Sequence, residues 1–206
     1  MIPKPLAQIR DFLIKDSVQL SHDFQDGRVN ASINESEILK KIQSEFEIEL
    51  PPPRSWFDFA IPNEHDKIPV NIKVTTTTTA DNVQCKLGIY YALTGKWPDF
   101  PNETPWGKYF SLLRNNINKE KDKDYYFLIV NKNDSSDVFC TSLKQVNKLV
   151  ANGNNLPFQC NWGENRTLAK RSHDDAVRFL LGTFYESIKL RAKIYHEFKE
   201  QLGSFI

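Results

Sequence analysis

The segment Ile-Pro-Val-Asn-Ile-Lys-Val at residues 68–74 alternates apolar with other side chains, and this two-residue period predicts a β-strand. Its aliphatic residues would share one face of the strand, whereas Asn71 and Lys73 would lie together on the other face. Five consecutive threonines follow directly at residues 75–79. The strand is therefore predicted to carry a polar pair on one face and to end in a hydroxyl-rich segment.

A second predicted strand comes earlier in the chain, at residues 55–61. Its aromatic-rich sequence, Ser-Trp-Phe-Asp-Phe-Ala-Ile, places Asp58 between two phenylalanines. The link at residues 62–67 is short and polar, which predicts a β-hairpin. Because the two strands of a hairpin lie side by side, we expect Asp58 to be within reach of Asn71 and Lys73.

The rest of the chain indicates a mixed sheet flanked by helices. The apolar run at residues 125–130 predicts a central strand buried on both faces, with residues 138–141 beside it. Six helices are expected. One includes Ile9 to Leu13, one begins near Ser32 or Asn34, one is capped by Asp81, one begins at Thr104, and the last two cover residues 142–150 and 172–202. The Asn-rich stretch at 151–171 is expected to be irregular. Together these elements predict an α/β (α+β mixed) fold in one domain spanning 1–206.

Composition bounds the possible functions. The chain has 206 residues, 27 of them Lys or Arg and 26 Asp or Glu, for a net charge of +1. This balance argues mildly against a nucleic-acid-binding protein, although the carboxylates of a metal site would lower the total. No apolar run is long enough for a membrane helix, no secretory signal is recognised, and the three cysteines are odd in number and lack zinc-ligand spacing. We therefore expect a cytoplasmic protein with no membrane association.

Glu35 lies in an unusual position on the second predicted helix, in the middle of the apolar stripe. That stripe consists of Ile38, Leu39, Ile42 and Phe46. A carboxylate in a core-facing stripe is costly unless it has a partner. Together with Asp58 it would supply oxygen ligands for Mg²⁺, beside a lysine able to stabilise negative charge or to help deprotonate water.

Simpler roles for the same residues remain open. Glu35 could be the acid of a capping box at the start of its helix. Asp58 and Lys73 could form a cross-strand ion pair, and Asn71 could hydrogen-bond to the edge of the sheet. Each of these roles would stabilise the fold without any chemistry, so the arrangement of the four side chains decides between the two interpretations.

Asp58, followed across a hairpin by Asn71-Ile72-Lys73, resembles the active-site motif of the PD-(D/E)xK nuclease superfamily, which includes the type II restriction endonucleases. The resemblance extends over about residues 33–93. It implies a restriction-endonuclease-like mixed sheet flanked by helices, with a catalytic core at about 33–131. Two positions depart from the motif: Phe57 precedes Asp58 where proline is usual, and Asn71 replaces the middle acid with a neutral amide. We interpret Glu35 as the compensating carboxylate.

The resemblance also implies a cofactor and a substrate. Asp58 and Glu35 would hold Mg²⁺ with help from the Ile72 carbonyl and the Asn71 amide oxygen, and Mn²⁺ could substitute. Lys73 would lie beside the attacking water and the phosphate. The implied substrate is double-stranded DNA, cut at a short specific sequence by a homodimer whose surface is the first or the last helix.

Three other functions are compatible with the sequence. The same core could belong to a structure-specific repair or junction nuclease, which would not cut plain plasmid DNA into discrete bands. Alternatively, Asn71 could mark a DNA-binding protein that has lost its activity. The near-neutral charge also fits an interaction protein with no role in nucleic-acid binding, which would show no salt-dependent affinity for DNA.

Hydroxyl, amide and basic side chains suited to DNA contacts occur in the segment after the catalytic strand and in the candidate recognition loop at 151–171. The candidates are Thr75, Thr76, Thr77, Thr78, Asn82, Gln84, Lys86, Arg114, Asn155, Asn161, Trp162, Asn165 and Arg166. Two alternatives remain open: the threonines could simply prolong the strand, and the Asn-rich stretch could be an ordinary surface loop.

Overall fold

The computed structural model describes residues 1–20, 27–64, 66–117 and 119–205. Within these ranges the chain forms five α-helices, a four-stranded sheet and a three-stranded sheet, which confirms the predicted mixed α/β class. The elements in chain order are α1 (Lys4–Lys15), α2 (Gly27–Glu45), β1 (Phe59–Asn63), β2 (Asp66–Thr75), β3 (Ala80–Val83), α3 (Lys86–Thr94), α4 (Trp106–Asn116), β4 (Tyr126–Asn131), β5 (Asp134–Ser142), β6 (Val150–Ala151), β7 (Phe158–Asn161) and α5 (His173–Leu202). Two short 3₁₀ helices cover Trp162–Asn165 and Gly203–Phe205.

The larger sheet has the strand order β1-β2-β4-β5. β1 and β2 form an antiparallel hairpin as predicted, in which Phe59 pairs with Val70. The expected bounds are wrong, however, because residues 55–58 lie outside β1 and both strands extend into the expected link at 62–67. β2 pairs in parallel with β4, and β4 pairs antiparallel with β5, so the sheet is mixed. β4 is central and almost wholly buried, as its continuous apolar sequence predicts.

The two faces of this sheet pack into different cores, because successive side chains of a strand point to opposite faces. On one face, Val70 and Ile72 of β2 pack with Leu128 of β4 against α1 and α2. On the other face, the aromatic side chains of β4 and β5 pack against α3, α4, the first half of α5 and the smaller sheet. Asn71 and Lys73 alternate with the first set and therefore belong to the second face.

The smaller sheet has the strand order β3-β7-β6. Its first strand contains Asp81, which was expected to cap a helix; instead, Ala80 pairs with Asn161, and α3 begins only after Cys85. The carboxylate of Asp81 does not cap a helix because it accepts a hydrogen bond from the indole nitrogen of Trp162 at 2.8 Å. The threonine segment therefore joins two sheets.

Two other expected helix positions are wrong. α2 begins at Gly27 rather than near Ser32 or Asn34, since residues 27–34 contain no proline that would stop the helix from extending towards its N-terminus. Between the end of β5 at Ser142 and the start of β6 at Val150, residues 143–149 form turns and irregular structure rather than the expected helix at 142–150. Backbone bonds hold this segment to the start of β4 instead: Leu143 N–H donates to the carbonyl of Tyr125 at 2.8 Å.

The last helix runs where its apolar spacing predicts it, but not all of its expected inner face is buried. Leu180 and Phe184 are buried in the core, whereas Ile188, Ile194 and Phe198 are exposed. The reason is that the body of the protein ends before the helix does. Although α5 has 30 residues, neither it nor any other helix in the described ranges is long and apolar enough to cross a membrane.

Candidate active site

Asp58 immediately precedes β1 and is fixed by the neighbouring strand. Its backbone N–H donates to the carbonyl of Val70 at 2.9 Å, which extends the pairing of the hairpin by one position. Its Oδ2 accepts hydrogen bonds from Asn71 Nδ2 at 2.7 Å and from the Ile72 backbone N–H at 2.6 Å. No residue in the described ranges donates a hydrogen bond to Oδ1. One carboxylate oxygen is thus anchored and the other is open to a ligand.

Lys73 lies on the same face of β2 as Asn71 and is only partly buried. It makes no salt bridge or hydrogen bond with the described residues. Its positive charge nevertheless acts on both candidate carboxylates, because it lowers the pKa of Glu35 and of Asp58. Asp58 and Lys73 do not form a cross-strand ion pair. The carboxylate of Asp58 is bonded to Asn71 and Ile72 instead.

Glu35 lies in the interior of α2, well after the start of the helix at Gly27. This position excludes the capping-box role, which requires the first turn. Burial, as the largest cause, and the negative charge of Asp58 together raise the pKa of Glu35 to about 7, although the charge of Lys73 opposes the shift. The structure therefore brings Glu35, Asp58 and Lys73 close enough for their charges to interact.

Both carboxyl groups are destabilised in their charged forms. Burial is the largest cause of the raised pKa of Asp58, and the hydrogen bond from Ile72 and the charge of Lys73 offset it in part. Burial is likewise the main cause for Glu35. A cluster of carboxylates with raised pKa values is stabilised by a bound cation, which favours the ionised forms that burial opposes.

Asp81 is a nearby acid that the sequence did not indicate as part of this site. It lies in β3, where Trp162 Nε1 holds its Oδ2, and its charge raises the pKa of Glu35. Its charge also raises the pKa of the buried thiol of Cys160. The only signal in the sequence is an acid two residues after the threonine run, and that signal has an equally good explanation as a helix cap.

The donor atoms of the site fit magnesium better than a metal that requires a closed protein cage. Among the residues that the structure describes, no three His, Cys, Asp or Glu side chains converge as a metal site. Mg²⁺ is commonly held by one or two carboxylates, with waters and substrate phosphates completing its shell. Asp58 Oδ1, the Glu35 carboxylate, the Asn71 amide oxygen and the Ile72 carbonyl would be its protein ligands. The amide nitrogen of Asn71 is committed to Asp58, so only its oxygen is left for a cation.

The threonine segment is a folded connection rather than a prolonged strand. Thr77 has a positive φ of 62° and is buried, and its carbonyl accepts a hydrogen bond from Gly163 N–H. The carbonyl of Thr78 accepts one from Asn161 Nδ2 at 2.8 Å. The side chains of Thr75, Thr76 and Thr78 are partly or fully exposed, whereas that of Thr77 is not available to DNA.

Three other residues expected to contact DNA are used inside the protein. Lys86 is buried and donates hydrogen bonds to the carbonyls of Asn102 and Thr104. Trp162 is fully buried and bonded to Asp81, as described above. Asn165 is also fully buried, and its amide donates to two backbone carbonyls. The prediction that these three side chains contact DNA is therefore wrong, because contact with DNA would require each of them to leave its partners. They stabilise the fold instead.

The remaining candidates are accessible, although most already have partners. Asn82 and Gln84 hydrogen-bond to side chains of the Asn-rich stretch, Gln84 to Asn155 at 3.4 Å. Arg166 forms two bonds with Asp137. Arg114 is exposed in the last turn of α4. Asn82 and Gln84 thus lie beside the Asn-rich stretch, whereas Asn161 bonds to the threonine segment.

Of the four residues of the predicted motif, Asp58 and Asn71 are hydrogen-bonded to each other, and the charges of Asp58 and Lys73 act on Glu35. No protein-family model matches the chain, and no curated protein sequence matches it significantly. Any functional assignment therefore rests on the chemistry of this site: two half-buried carboxyl groups, an anchored amide, and a lysine that makes no salt bridge or hydrogen bond in the described part of the chain.

Proposed function

We propose that this protein is a Mg²⁺-dependent endodeoxyribonuclease of the type II restriction class, which hydrolyses phosphodiester bonds in both strands of DNA at a short specific sequence. The observation that carries this proposal is the gathering of Glu35 and Asp58 beside Lys73, with Asp58 Oδ1 left open. A structural role predicts ion pairs or caps for these residues, and neither is formed. The resemblance to the PD-(D/E)xK motif supports the same assignment.

Each side chain has a distinct task in this reaction. Mg²⁺, or Mn²⁺ in its place, would polarise the scissile phosphate and lower the pKa of a water molecule when bound. Asp58 is held in one orientation by Asn71 and Ile72, so its open oxygen is preorganised for the cation. Glu35 supplies the second carboxylate. Lys73 stabilises the negative charge that develops on the phosphate, because its ammonium group is held by no salt bridge or hydrogen bond from the described residues.

Asn71 acts as a positioning residue and a neutral ligand. It cannot contribute the negative charge that an acid would supply, but its Nδ2 donates to Asp58 at 2.7 Å. An aspartate at this position would have no hydrogen to donate and would repel Asp58. The neutral amide therefore orients Asp58 and leaves Glu35 as the acid that balances the cation.

DNA would approach across the threonine segment and the smaller sheet. Thr75, Thr76 and Thr78 offer hydroxyl groups, and Asn82, Gln84, Asn155 and Asn161 offer amides that can contact phosphates or base edges. We further propose a cytoplasmic location, which the three buried, unpaired thiols support.

The decisive test is incubation of supercoiled plasmids of several sequences with the protein and Mg²⁺ or Mn²⁺. We expect discrete fragments that disappear with a chelator and in Lys73→Ala. The matched control is Lys67→Ala, which removes a lysine from the same strand where it pairs with exposed Glu49 away from the site. Intact DNA in every condition, with no salt-dependent DNA binding, would overturn the proposal.

Asn71 favours one second candidate, a DNA-binding protein with little or no cleavage activity, because the neutral amide removes one negative charge from the motif. This candidate predicts tight DNA binding that falls with salt and no cutting with either metal. Asn71→Asp separates the two further: a gain of cutting from an inactive parent would support lost activity, whereas a loss of cutting would support the positioning role.

A further inference from the structure

A cavity that the proposed nuclease site does not use lies beside the hairpin. It has a volume of about 800 Å³, which is within the usual range for small-molecule sites. Three parts of the chain line it: the segment between α2 and β1, the ends of β1 and β2 next to their connection, and the loop after α3. None of the described residues that line the cavity belongs to the predicted motif, so its role is inferred separately.

Three aromatic rings that line the cavity, those of Trp56, Phe57 and Trp97, form what we call the aromatic corner. The ring planes of Trp56 and Phe57 are inclined by 73°, those of Trp56 and Trp97 by 64°, and those of Phe57 and Trp97 by 74°. Three planes that are nearly perpendicular in pairs meet at a corner, so a compact group placed there contacts more than one ring. A flat ligand is instead held best between parallel rings.

Buried side chains support the aromatic corner from behind. Tyr91 and Tyr125 are buried and pack against Trp56, with ring centroids 5.7 and 5.5 Å away. The hydroxyl group of Tyr125 also donates to the carbonyl of Trp56 at 2.5 Å. Gly95 ends α3 with a φ of 71°, and the loop that follows brings Trp97 to 5.3 Å from Tyr91. The corner is therefore formed before a ligand binds, which lowers the entropic cost of binding.

The aromatic corner is accessible as well as preformed. Trp97 is 39% exposed, although its ring already contacts those of Trp56, Phe57 and Tyr91. Trp56 and Phe57 are half-buried. Aromatic surface that remains open inside a concave site is more informative than an isolated exposed ring, because a ligand there is contacted from several sides.

The charged residues of the cavity favour a cation over an anion. Glu49 and Asp66 line it, and Lys67 is the one described basic residue that does so. Each carboxylate already bonds to an ammonium group, Glu49 to that of Lys67 and Asp66 to that of Lys123. The rim therefore holds ammonium groups, and no described cation that lines the cavity is left without a carboxylate to bind a phosphate. The faces of aromatic rings likewise attract cations.

We propose that the aromatic corner binds an alkylated ammonium group, of the trimethylammonium type, carried by a small organic cation. Such a group is compact and nearly spherical, so it fits three inclined rings better than a planar base does. Its charge is attracted by the ring faces and by the carboxylates of Glu49 and Asp66, while its methyl groups need no hydrogen-bond partners. The rest of the cavity accommodates the remainder of the ligand. The site does not depend on the proposed nuclease function, and its test uses no DNA.

Titration of the full-length protein with choline and with 3,3-dimethyl-1-butanol tests the chemistry of the ligand. The alcohol has the shape of choline with carbon in place of the quaternary nitrogen, so the two differ in charge. We expect choline to change the tryptophan fluorescence saturably and to bind about 10-fold more tightly than the alcohol, at constant ionic strength. Equal affinities, or no saturable binding of choline or tetramethylammonium up to about 100 mM, would overturn the proposal.

A peptide that carries trimethyllysine distinguishes the two sources of the same head group. Weaker binding of the peptide than of choline would support a free small molecule as the ligand. Tighter binding would retain the ammonium site but overturn the small-molecule assignment, because the head group would then belong to a protein side chain.

Variants of the cavity test its location. Trp97→Ala removes the most exposed ring of the corner and should weaken choline binding by about 10-fold or more, whereas Tyr195→Ala, which removes an exposed ring from the last helix, should not change it. Isothermal titration calorimetry measures both, and circular dichroism checks that each variant is folded.

A second variant keeps the test valid if Trp97→Ala does not fold. Glu49→Gln changes an exposed side chain and should weaken choline binding by about 3-fold without affecting the uncharged alcohol. Its matched control is Glu37→Gln, which neutralises a similarly exposed carboxylate that also pairs with a lysine but does not line the cavity. Choline binding that is unchanged in both Trp97→Ala and Glu49→Gln would place the ligand elsewhere and overturn the proposal.

Discussion

Two lysines on the aromatic side of the sheet, Lys73 and Lys86, illustrate how burial and hydrogen bonding separate structural from functional charges. Lys86 is only 8% exposed, donates to the carbonyls of Asn102 and Thr104, and lies 4.4 Å from the centre of the Trp106 ring. Lys73 has no such partners in the described chain. A buried cation that bonds to two carbonyls and packs on an aromatic ring holds the fold together, whereas a cation near two carboxyl groups with no hydrogen-bonded partner is available to a ligand.

The difference is one of free energy as well as geometry. Lys86 fastens the start of α3 to the loop before α4, and burial lowers its pKa while Glu103 opposes the shift. Lys73 gains no such local bond, and its charge acts only at a distance by lowering the pKa of Glu35 and of Asp58. The comparison therefore predicts opposite responses when the same change is made at the two positions.

Lys73→Met should have the largest effect, and it should fall on activity alone. Loss of the ammonium group that stabilises the charged phosphate should slow DNA cleavage by about 10²–10⁴-fold. The free energy of unfolding should change little, because no hydrogen bond or salt bridge of the described chain is broken. Single-turnover cleavage and urea unfolding of the same preparation measure the two quantities; a large loss of stability would assign Lys73 to the structural class.

Lys86→Met should do the reverse. It retains the apolar stem but leaves the carbonyls of Asn102 and Thr104 without their donor, which should cost about 2–3 kcal/mol of the free energy of unfolding. Cleavage per folded molecule should be unchanged below the unfolding transition. The matched control is Lys108→Met on the exposed face of α4, where we expect less than about 0.5 kcal/mol. Equal unfolding midpoints for the two variants would contradict the contrast.

The hairpin and its polar pair could be predicted from sequence because their signals are local. The alternation at residues 68–74 sets the side-chain faces, and the short link sets the register that places Asp58 beside Asn71 and Ile72. The position of Glu35 could be predicted for a related reason, since a carboxylate within an apolar stripe conflicts with its surroundings. In each case neighbouring residues in the chain carry the information.

The partners of the Asn-rich stretch could not be predicted in this way. Trp162 lies in a polar, loop-like sequence, and only its pairing with distant Asp81 across β3 and β7 explains its burial. Lys86 was expected to reach DNA because its partners, in the loop before α4, are distant in sequence. Long-range partners of single polar groups leave no periodic signal. The sequence alone therefore does not distinguish a polar side chain that contacts DNA from one that hydrogen-bonds inside the protein.

Glu35→Gln should have a smaller effect that depends on pH. The pKa of Glu35 lies near 4.5 in the unfolded chain and is raised to about 7 on folding, so the folded state binds the proton more tightly. Wild-type stability should therefore fall as pH rises from about 4.5 to 7 and stay reduced above that range. The variant removes this penalty and should be more stable by about 1–2 kcal/mol at pH 8. Urea unfolding in chelator at pH 4 and pH 8 measures the difference, which should vanish at pH 4.

The neighbouring helix position provides the control for this effect. Glu37 lies two residues further along α2, is exposed, and pairs with Lys40 at 2.7 Å. Glu37→Gln should change stability by less than about 0.5 kcal/mol at either pH. A pH-independent gain in Glu35→Gln, or the same gain in Glu37→Gln, would show that burial beside Asp58 is not the cause.

Arg166→Ala should have the smallest effect and extends the contrast to the proposed DNA surface. Arg166 is bonded twice to Asp137 and stacks on Phe139, so its guanidinium is occupied as Lys86 is. Its hydrogen bond lowers the pKa of Asp137, so the pair stabilises the fold above the unfolded pKa of that aspartate and less as pH falls below it. Because the pair is partly exposed, we expect a loss below about 1 kcal/mol at pH 7. DNA affinity should change less than in Thr78→Val, which removes an exposed hydroxyl of the threonine segment. A larger loss of DNA affinity in Arg166→Ala would mean that a cation with a protein partner still binds DNA, so that the distinction drawn from Lys73 and Lys86 does not extend to this surface.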